Sequence, residues 1–388
     1  MRYVILATAL VFLSGGFFLA YEKNNIEVST LNGVATSTAA TSTMLAASSS
    51  AAATTSQGRV SSAKLKDIEN QKPLPNPPTV IRAVYATGYS AGSSKKVDYL
   101  IDLIKNSELN AVVIDIKDYS GYVLYDIQNP DVIRYRTKEV QIAHVNQVIK
   151  RFHDEGIYVI ARQTVFQDPA LAKARPDLAL KNIRGLTTST PISAAPVWHD
   201  SKGLAWMDPA SKEVWDYNVA IAKDAAARGF DEVNFDYVRF ASDGSLGNIG
   251  YPFYNPKTTL KLTVLRNFFK YLRDQTSGIV ISADLFGLTT VNNDDLGIGQ
   301  SLAAAAEFFD YVSPMVYPSH YASGFIGYKN PASFPYEVVK YSMEKAVEKM
   351  MTKPVARIVT SESGATSTVT DASTPKFHAK LRPWLQDF

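Results

Sequence analysis

Short apolar segments rich in Val, Ile, Tyr and Phe alternate with longer amphipathic segments from residue 79 to the end of this 388-residue chain. Short apolar runs predict buried strands, and apolar positions repeating every three to four residues predict helices. The predicted strands are 80–86, 111–116, 157–161, 232–235, 279–283, 311–316 and 381–385, and the predicted helices are 97–107, 140–155, 212–228, 258–275, 302–309 and 336–351. This alternation indicates an α/β fold with a parallel sheet.

The number of repeats narrows the architecture further. Six strand–helix repeats followed by a seventh strand favour a (β/α)8 barrel of the TIM type over a shorter doubly wound sheet. No eighth β/α unit can be placed before Phe388, so we expect a barrel that lacks its last unit in this chain through truncation. The folded domain is predicted to span residues 79–388.

The N-terminus is apolar from Tyr3 to Ala20, after Arg2 and the α-amino group. This run has about the length of a short membrane span, and Phe18 disfavours a small-residue cleavage site. We therefore predict an uncleaved signal anchor within residues 1–23, which would place a single-pass protein in the cell membrane with its domain outside the cytoplasm. A cleaved signal peptide, and hence a secreted protein, is the alternative.

Residues 24–78 are predicted to be a linker between this anchor and the domain. The stretch 29–56 is mostly Ser, Thr and Ala, which cannot bury enough apolar surface to offset the entropy lost on folding. The Pro-rich stretch 72–78 is expected to be stiffer and extended.

Composition excludes several classes of function. The 40 Lys and Arg residues against 37 Asp and Glu residues leave a formal charge of +3 without a basic stripe, which argues against nucleic-acid binding. Because the chain has no Cys, disulfides, thiolate zinc sites and Cys nucleophiles are excluded. The five His residues lack the spacing of a zinc hydrolase. We therefore predict no metal site and no cofactor, although the sequence leaves Ca²⁺ open because it needs only oxygen ligands.

Polar residues follow the predicted strands at their carboxyl ends, where a parallel barrel builds its active site. An acidic residue recurs at four of these ends, namely Asp115, Asp236, Asp284 and Asp387. One such residue alone is often a helix cap or part of an ion pair, whereas four at one face indicate a site. The same ends carry side chains suited to bind a substrate, namely Lys117, Arg162, Arg239, Tyr317 and His320.

Asp236 and Asp284 end neighbouring strands, which lie about 4.8 Å apart in a sheet. Their carboxylates can therefore approach the ~5–5.5 Å separation of a retaining glycosidase, in which one attacks the anomeric carbon and the other donates a proton. Arg162 or Arg239 can stabilise the charged nucleophile. The apolar neighbours of Asp284 favour the raised pKa that a general acid needs.

Four segments carry a resemblance to a known family, namely residues 108–118, 234–240, 315–321 and 382–388. Together they resemble a glycoside hydrolase-like domain family of bacterial envelope proteins, a TIM-barrel family more distantly similar to the α-amylase superfamily. The resemblance implies that Asp236 is the nucleophile, Asp284 the general acid, and Asp387 a third carboxylate that stabilises the transition state. This chain departs from the family by its early end and by a Ser/Thr-rich insert at 360–374.

Two other features have competing interpretations. Residues 88–92 fit the G-x-S-x-G elbow of a serine hydrolase, with Asp310 and either His320 or His378 as its partners. We favour a first β/α turn of small residues, since the hydrolase elbow follows several strands. Trp206, between the third and fourth strands, either stacks on a sugar ring or plugs the mouth of the barrel.

The sequence therefore supports two functions. The first is an exported, membrane-tethered glycoside hydrolase that cleaves an envelope or extracellular polysaccharide or oligosaccharide with retention of configuration. The second is a non-catalytic glycan-binding protein on the same barrel scaffold, because one fold hosts many functions.

Overall fold

The computed structural model describes residues 66–187, 191–351, 356–360, 366–370 and 377–386. The predicted anchor, most of the predicted linker and Asp387 lie outside these residues. Residues Asp67–Phe388 form one compact unit. In the part of the chain that is described, no helix is both long enough and apolar enough to span a bilayer.

Strands and helices alternate along the described chain, as the sequence predicts. The strands are β1 (Ala83–Ala86), β2 (Ala111–Lys117), β3 (Val123–Tyr125), β4 (Lys138–Ile142), β5 (Tyr158–Thr164), β6 (Lys181–Asn182), β7 (Glu232–Asp236), β8 (Ile249–Gly250), β9 (Ile281–Phe286), β10 (Tyr311–Met315), β11 (Ala356–Thr360), β12 (Thr366–Thr370) and β13 (Lys380–Leu381). The α-helices are α1 (Gly88–Ala91), α2 (Ser94–Lys105), α3 (Pro130–Tyr135), α4 (Val145–His153), α5 (Pro169–Ala174), α6 (Lys212–Arg228), α7 (Lys261–Gln275), α8 (Leu302–Ala306) and α9 (Pro335–Met350).

Seven of these strands form one parallel sheet in chain order, β1–β2–β5–β7–β9–β10–β13. At least one helix separates each strand of this sheet from the next along the chain. This arrangement is that of a (β/α) barrel, so the predicted fold class is confirmed. The short strands β3 and β4 extend the sheet from the end of β2.

The sheet curls until its two edge strands approach each other. The ring of Tyr85 on β1 lies edge-on to the ring of Trp384, which follows β13, with the ring centroids 6.3 Å apart. Side chains from well-separated strands pack in one interior cluster, which contains Ala111, Val113, Tyr158, Ile160, Tyr311 and Trp384. Because no described ladder joins β1 to β13, side-chain contacts rather than backbone hydrogen bonds close this part of the barrel.

Helix α6 begins and ends where the sequence predicts. The Ser211 side chain caps its N-terminus by accepting a hydrogen bond from the Val214 amide. Gly229 ends the helix with a φ of 105°, in the left-handed region that glycine adopts readily. A Cβ at Gly229 would lie 2.7 Å from the backbone of Gln71, so a larger residue would also clash there.

The predicted helix over residues 140–155 is shorter in the structure. Lys138–Ile142 form β4, and α4 begins only at Val145. Strand β4 pairs with β3, with Lys138 opposite Val123. Because this pairing depends on a partner strand, the local helical spacing of apolar residues did not indicate it.

Within the described part of the chain, hydrogen bonds to the barrel begin at Asp67, upstream of the predicted domain start at Thr79. The Asp67 carboxylate accepts a hydrogen bond of 2.8 Å from the Asn146 amide, and the Gln71 amide donates to the Arg228 carbonyl at 3.0 Å. The Leu74 amide donates to the Asp231 carboxylate at 2.6 Å. Since Asp231 directly precedes β7, this segment lies at the amino-terminal face of the sheet, away from the strand ends that carry the candidate site.

Candidate active site

Arg162 on β5 brings three of the predicted carboxylates together. Its Nη1 donates a 2.6 Å hydrogen bond to Asp115 on β2, and its Nη2 donates to Asp236 at the end of β7. Its Nε lies 3.7 Å from Oδ2 of Asp284 on β9. One guanidinium therefore faces acidic side chains from the three other strands that surround the predicted site.

The two predicted catalytic carboxylates lie close enough for glycosidase chemistry. Asp236 makes an ion pair with Nη2 of Arg162, and Asp284 makes one with Nε at 3.7 Å. These two nitrogens are neighbours on one edge of the guanidinium. The separation of the two carboxylates is therefore below about 9.5 Å, the upper end of the range that covers retaining and inverting glycosidases.

Asp284 is held in an environment that favours its protonated form. Its side chain is 1% exposed, and its Oδ1 accepts hydrogen bonds from Asn234 Nδ2 at 2.9 Å and Trp384 Nε1 at 2.7 Å. Burial, together with the negative charge of Asp236, raises the pKa of Asp284 to about 7, although Arg162 and the two hydrogen bonds oppose this shift. A large fraction of Asp284 is therefore protonated at neutral pH.

The backbone turns sharply immediately after Asp236. Tyr237 has a φ of 53°, in the left-handed region that bulky residues rarely adopt. The Tyr237 amide donates a hydrogen bond back to Oδ1 of Asp236, while Arg162 binds Oδ2. Both carboxylate oxygens are thus fixed, and the strained backbone lies where strain is often found, beside a functional group.

Tyr317 and His320 lie beside this cluster at the end of β10. Their rings are perpendicular, with centroids 5.3 Å apart. Burial raises the pKa of Tyr317, and the charges of Asp284 and Asp236 raise it further. Tyr317 lies two residues after the end of β10, the strand that pairs with β9 and its Asp284, whereas His320 is exposed to solvent.

Three residues that the sequence analysis missed complete the cluster. The Tyr85 hydroxyl donates to Asp115, while Asn234 and Trp384 bind Asp284. Asn234 lies two residues before Asp236 on the same face of β7, so the two-residue alternation of a strand was a usable signal for it, whereas β1 carries no predicted residue that could point to Tyr85. Trp384 had no comparable signal, because its partner is 100 residues away in sequence.

Arg239 and Trp206 pack against each other at the mouth of the barrel. The guanidinium lies 4.6 Å from the Trp206 ring centroid and 4.8 Å from that of Phe286, and it donates to the Phe240 carbonyl and the Ser242 hydroxyl. Trp206 is only 1% exposed, and its indole donates to Asp200 at 2.9 Å. Trp206 therefore plugs the barrel mouth, the second of its two predicted roles, and offers no free ring face to a sugar.

Residues 83–388 match the model of a family described as "Putative glycosyl hydrolase domain". The chain belongs to this family. The match confirms the resemblance inferred from the sequence and the predicted enzyme class, glycoside hydrolase. No curated protein is significantly similar to the chain.

Solved structures similar to the chain include three bacterial proteins. A hypothetical protein from Ruminiclostridium thermocellum is 34% identical, with 55% of this chain and 98% of that chain covered and a TM-score of 0.46. The PgaB (BpsB) glycoside hydrolase domain from Bordetella bronchiseptica is 15% identical, with 70% and 81% covered and a TM-score of 0.47. The PelA glycoside hydrolase domain from Pseudomonas aeruginosa is 12% identical, with 70% and 81% covered and a TM-score of 0.36. The family assignment rests on the match over residues 83–388.

The G-x-S-x-G stretch of this glycoside hydrolase domain forms helix α1 and no catalytic triad. Ser90 shares a 3.1 Å hydrogen bond with Thr87, which caps α1. Asp310 precedes β10, at the opposite end of the barrel from the end of β1, and it pairs with Arg273. The first β/α turn is therefore the correct interpretation. Among the described residues, no three His, Asp or Glu side chains form a group that could hold a metal ion.

Lys117, predicted to bind substrate, lies outside the cluster. A register shift between Asp115 and Lys117 interrupts the regular alternation of β2. Lys117 is fully buried, 2.8 Å from Asp168 Oδ2, and donates to the Thr164 carbonyl at 2.8 Å. Asp168 also caps α5. The prediction for Lys117 is thus wrong, because the bulge directs the side chain into a structural ion pair.

Replacing Lys117 should destabilise the domain strongly. Lys117→Met leaves the charge of Asp168 buried without its partner, so we expect a loss of about 3–5 kcal/mol in the free energy of unfolding, measured by urea titration. Lys150→Met is the matched control, because Lys150 makes an exposed ion pair with Asp154 worth about 0.5 kcal/mol or less. Equal losses in the two variants would contradict the structural role of Lys117.

Proposed function

We propose that the chain is a retaining glycoside hydrolase in which Asp236 is the nucleophile and Asp284 the general acid. The observation that carries this assignment is the contrast between two carboxylates that share one guanidinium. Asp236 is bound by charged Arg162 and by a backbone amide. Asp284 is almost fully buried and its pKa is raised to about 7 by burial and by the charge of Asp236. Divergent environments of this kind assign the two roles in carboxylate pairs.

The reaction follows from these roles. Asp284 gives its proton to the glycosidic oxygen while Asp236 attacks the anomeric carbon, so the glycosidic bond breaks and a glycosyl ester forms on Asp236. Asp284, now a carboxylate, takes a proton from water, and the resulting hydroxide oxygen attacks the anomeric carbon. The ester bond breaks, the sugar is released and both carboxyl groups return to their starting state. Asp387 remains the predicted third carboxylate of this reaction.

An apolar groove beside the site supports a sugar chain as the substrate. The groove has a volume of about 250 Å³ and is lined by Pro318, Pro335, Tyr336, Val339, Leu385 and Gln386. Tyr336 is 71% exposed, with Lys340 Nζ 6.0 Å from its ring centroid, and its exposed ring surface is suited to pack on a pyranose. Pro318 directly follows Tyr317, which lies beside the carboxylate cluster, and Leu385 directly follows Trp384, which donates a hydrogen bond to Asp284.

We further propose that the substrate is an envelope or extracellular polysaccharide and that the enzyme is held at the cell membrane. The apolar run from Tyr3 to Ala20 and the Ser/Thr/Ala-rich stretch after it support export and tethering. Membrane fractionation of cells that express the full chain tests this point. A variant that lacks residues 1–23 should move from the membrane fraction to the soluble fraction, and its retention with the membranes would contradict the anchor.

A second function, glycan binding without hydrolysis, is favoured by the burial of Asp284. A general acid must touch the glycosidic oxygen, and only 1% of the surface of this residue is exposed. Reducing-sugar release by the full chain from a panel of envelope and extracellular polysaccharides separates the two functions. Release supports the hydrolase, and NMR of the first-formed anomer then tests retention. Retention of a polysaccharide on immobilised protein without release supports binding alone.

A further inference from the structure

The two oxygens of the Asp284 carboxyl group have unequal surroundings. Oδ1 accepts two hydrogen bonds, from Asn234 Nδ2 and Trp384 Nε1. Oδ2 is buried and accepts none from the described residues. Both donors on Oδ1 are neutral N–H groups that cannot accept a proton in return.

This asymmetry decides where a proton on Asp284 can reside. Both lone pairs of Oδ1 already accept a hydrogen bond. A proton placed on Oδ1 would therefore break one of these two hydrogen bonds. A proton at Oδ2 breaks none, since Arg162 Nε lies 3.7 Å from Oδ2 and makes an ion pair with it but no hydrogen bond. It also removes the cost of burying a charged oxygen that accepts no hydrogen bond. The protonated acid is thus a hydroxyl at Oδ2 with its carbonyl at Oδ1.

We propose that Trp384 is a positioning residue that keeps Oδ1 occupied, together with Asn234, so that the transferable proton of Asp284 resides on Oδ2. This inference rests on the proposed role of Asp284 as the general acid. Trp384 acts through Asp284, with no need to touch the substrate itself.

Trp384 is well placed for this role because the fold fixes its ring. Its backbone forms a parallel bridge with Met315 at the end of β10, and its ring lies edge-on to Tyr85. Trp384 follows β13, the last strand of the described sheet. It therefore contacts Asp284 on β9 although β10 lies between these two strands. Arg382, two residues earlier, anchors the same segment by donating to Glu232 at 2.9 Å.

Several charged or titratable groups also face Asp284 and act on its titration. Arg162 on β5, Asp236 on β7, Tyr317 after β10 and Arg382 near Trp384 all interact with it electrostatically. A test of Trp384 must therefore report on its hydrogen bond to Asp284 directly as well as on the midpoint of the titration.

The four Trp residues allow such a test in the unaltered full chain. A ¹H–¹⁵N spectrum resolves their indole N–H signals, which are assigned with single Trp→Phe variants. The Trp384 indole signal should shift with pH with a midpoint near pH 7. The ¹³C carboxyl signal of Asp284, identified because it is missing from the spectrum of Asp284→Asn, should titrate with the same midpoint. Trp215 and Trp198 donate to the backbone carbonyls of Pro209 and Ser245 and serve as internal references. A Trp384 signal that does not follow Asp284 would overturn the proposal.

The variant Trp384→Phe keeps a ring in place and removes the N–H donor. Because this donor stabilises the charged form of Asp284, its loss should raise the Asp284 midpoint by about one pH unit. Trp215→Phe removes an indole hydrogen bond on α6 and should leave the midpoint unchanged. An unchanged midpoint in folded Trp384→Phe would also refute the role. Both measurements need no substrate, so they stand even if the protein hydrolyses no glycan and the proposed function fails.

Discussion

Asp236→Asn is expected to reduce glycan hydrolysis by a factor on the order of 10³ or more. The amide keeps the shape of the carboxylate, but it cannot form the glycosyl ester and loses the charge that pairs with Arg162. The measurement is reducing-sugar release from the polysaccharide that the unaltered chain cleaves. Hydrolysis at the full rate would show that Asp236 is not the nucleophile.

The matched control for this variant is Asp154→Asn. Asp154 is exposed at the end of α4, where it pairs with Lys150, so the same chemical change should leave the rate unchanged. Asp236→Asn should also lower the pKa of Asp284, because the negative charge of Asp236 is one cause of its rise. The ¹³C carboxyl signal of Asp284 measures this shift independently of activity.

Asp284→Asn is expected to reduce hydrolysis of the natural polysaccharide by about 10²–10⁴-fold, the usual contribution of a general acid. The loss of activity should be much smaller on an aryl glycoside of the same sugar, because its phenol leaving group departs without being protonated. In the unaltered chain, kcat/KM should fall as the pH rises through about 7, because Asp284 must be protonated and its buried carboxyl group titrates there. The variant should lack this alkaline decline.

The leaving-group comparison is the sharpest control for Asp284. A misfolded variant loses activity on both substrates alike. A variant that lacks only the general acid keeps most of its activity on the aryl glycoside. Equal losses on the two substrates, or an alkaline decline that persists in Asp284→Asn, would contradict the assignment of Asp284 as the acid.

Much of the fold was determined by local patterns in the sequence. Six of the seven predicted strands occur in the parallel sheet, and the seventh, predicted at 381–385, is reduced to Lys380–Leu381. Helix α6 has the predicted bounds, because capped amphipathic helices carry short-range signals, as buried strand segments do. The topology then places the carboxyl ends of β2, β5, β7 and β9 at one face. For this reason, the sequence alone predicted one candidate site that contains Asp115, Arg162, Asp236 and Asp284.

The chemistry of that site was decided by contacts between residues far apart in sequence. A bulge in β2 removes Lys117 from the cluster, and the burial of Trp206 turns a candidate sugar contact into a plug. The raised pKa of Asp284 depends on desolvation by surrounding side chains and on the charge of Asp236, and its proton position depends on Trp384. Sequence periodicity reports which face of an element a residue occupies, but burial, charge proximity and hydrogen-bond partners arise only when the elements pack in three dimensions.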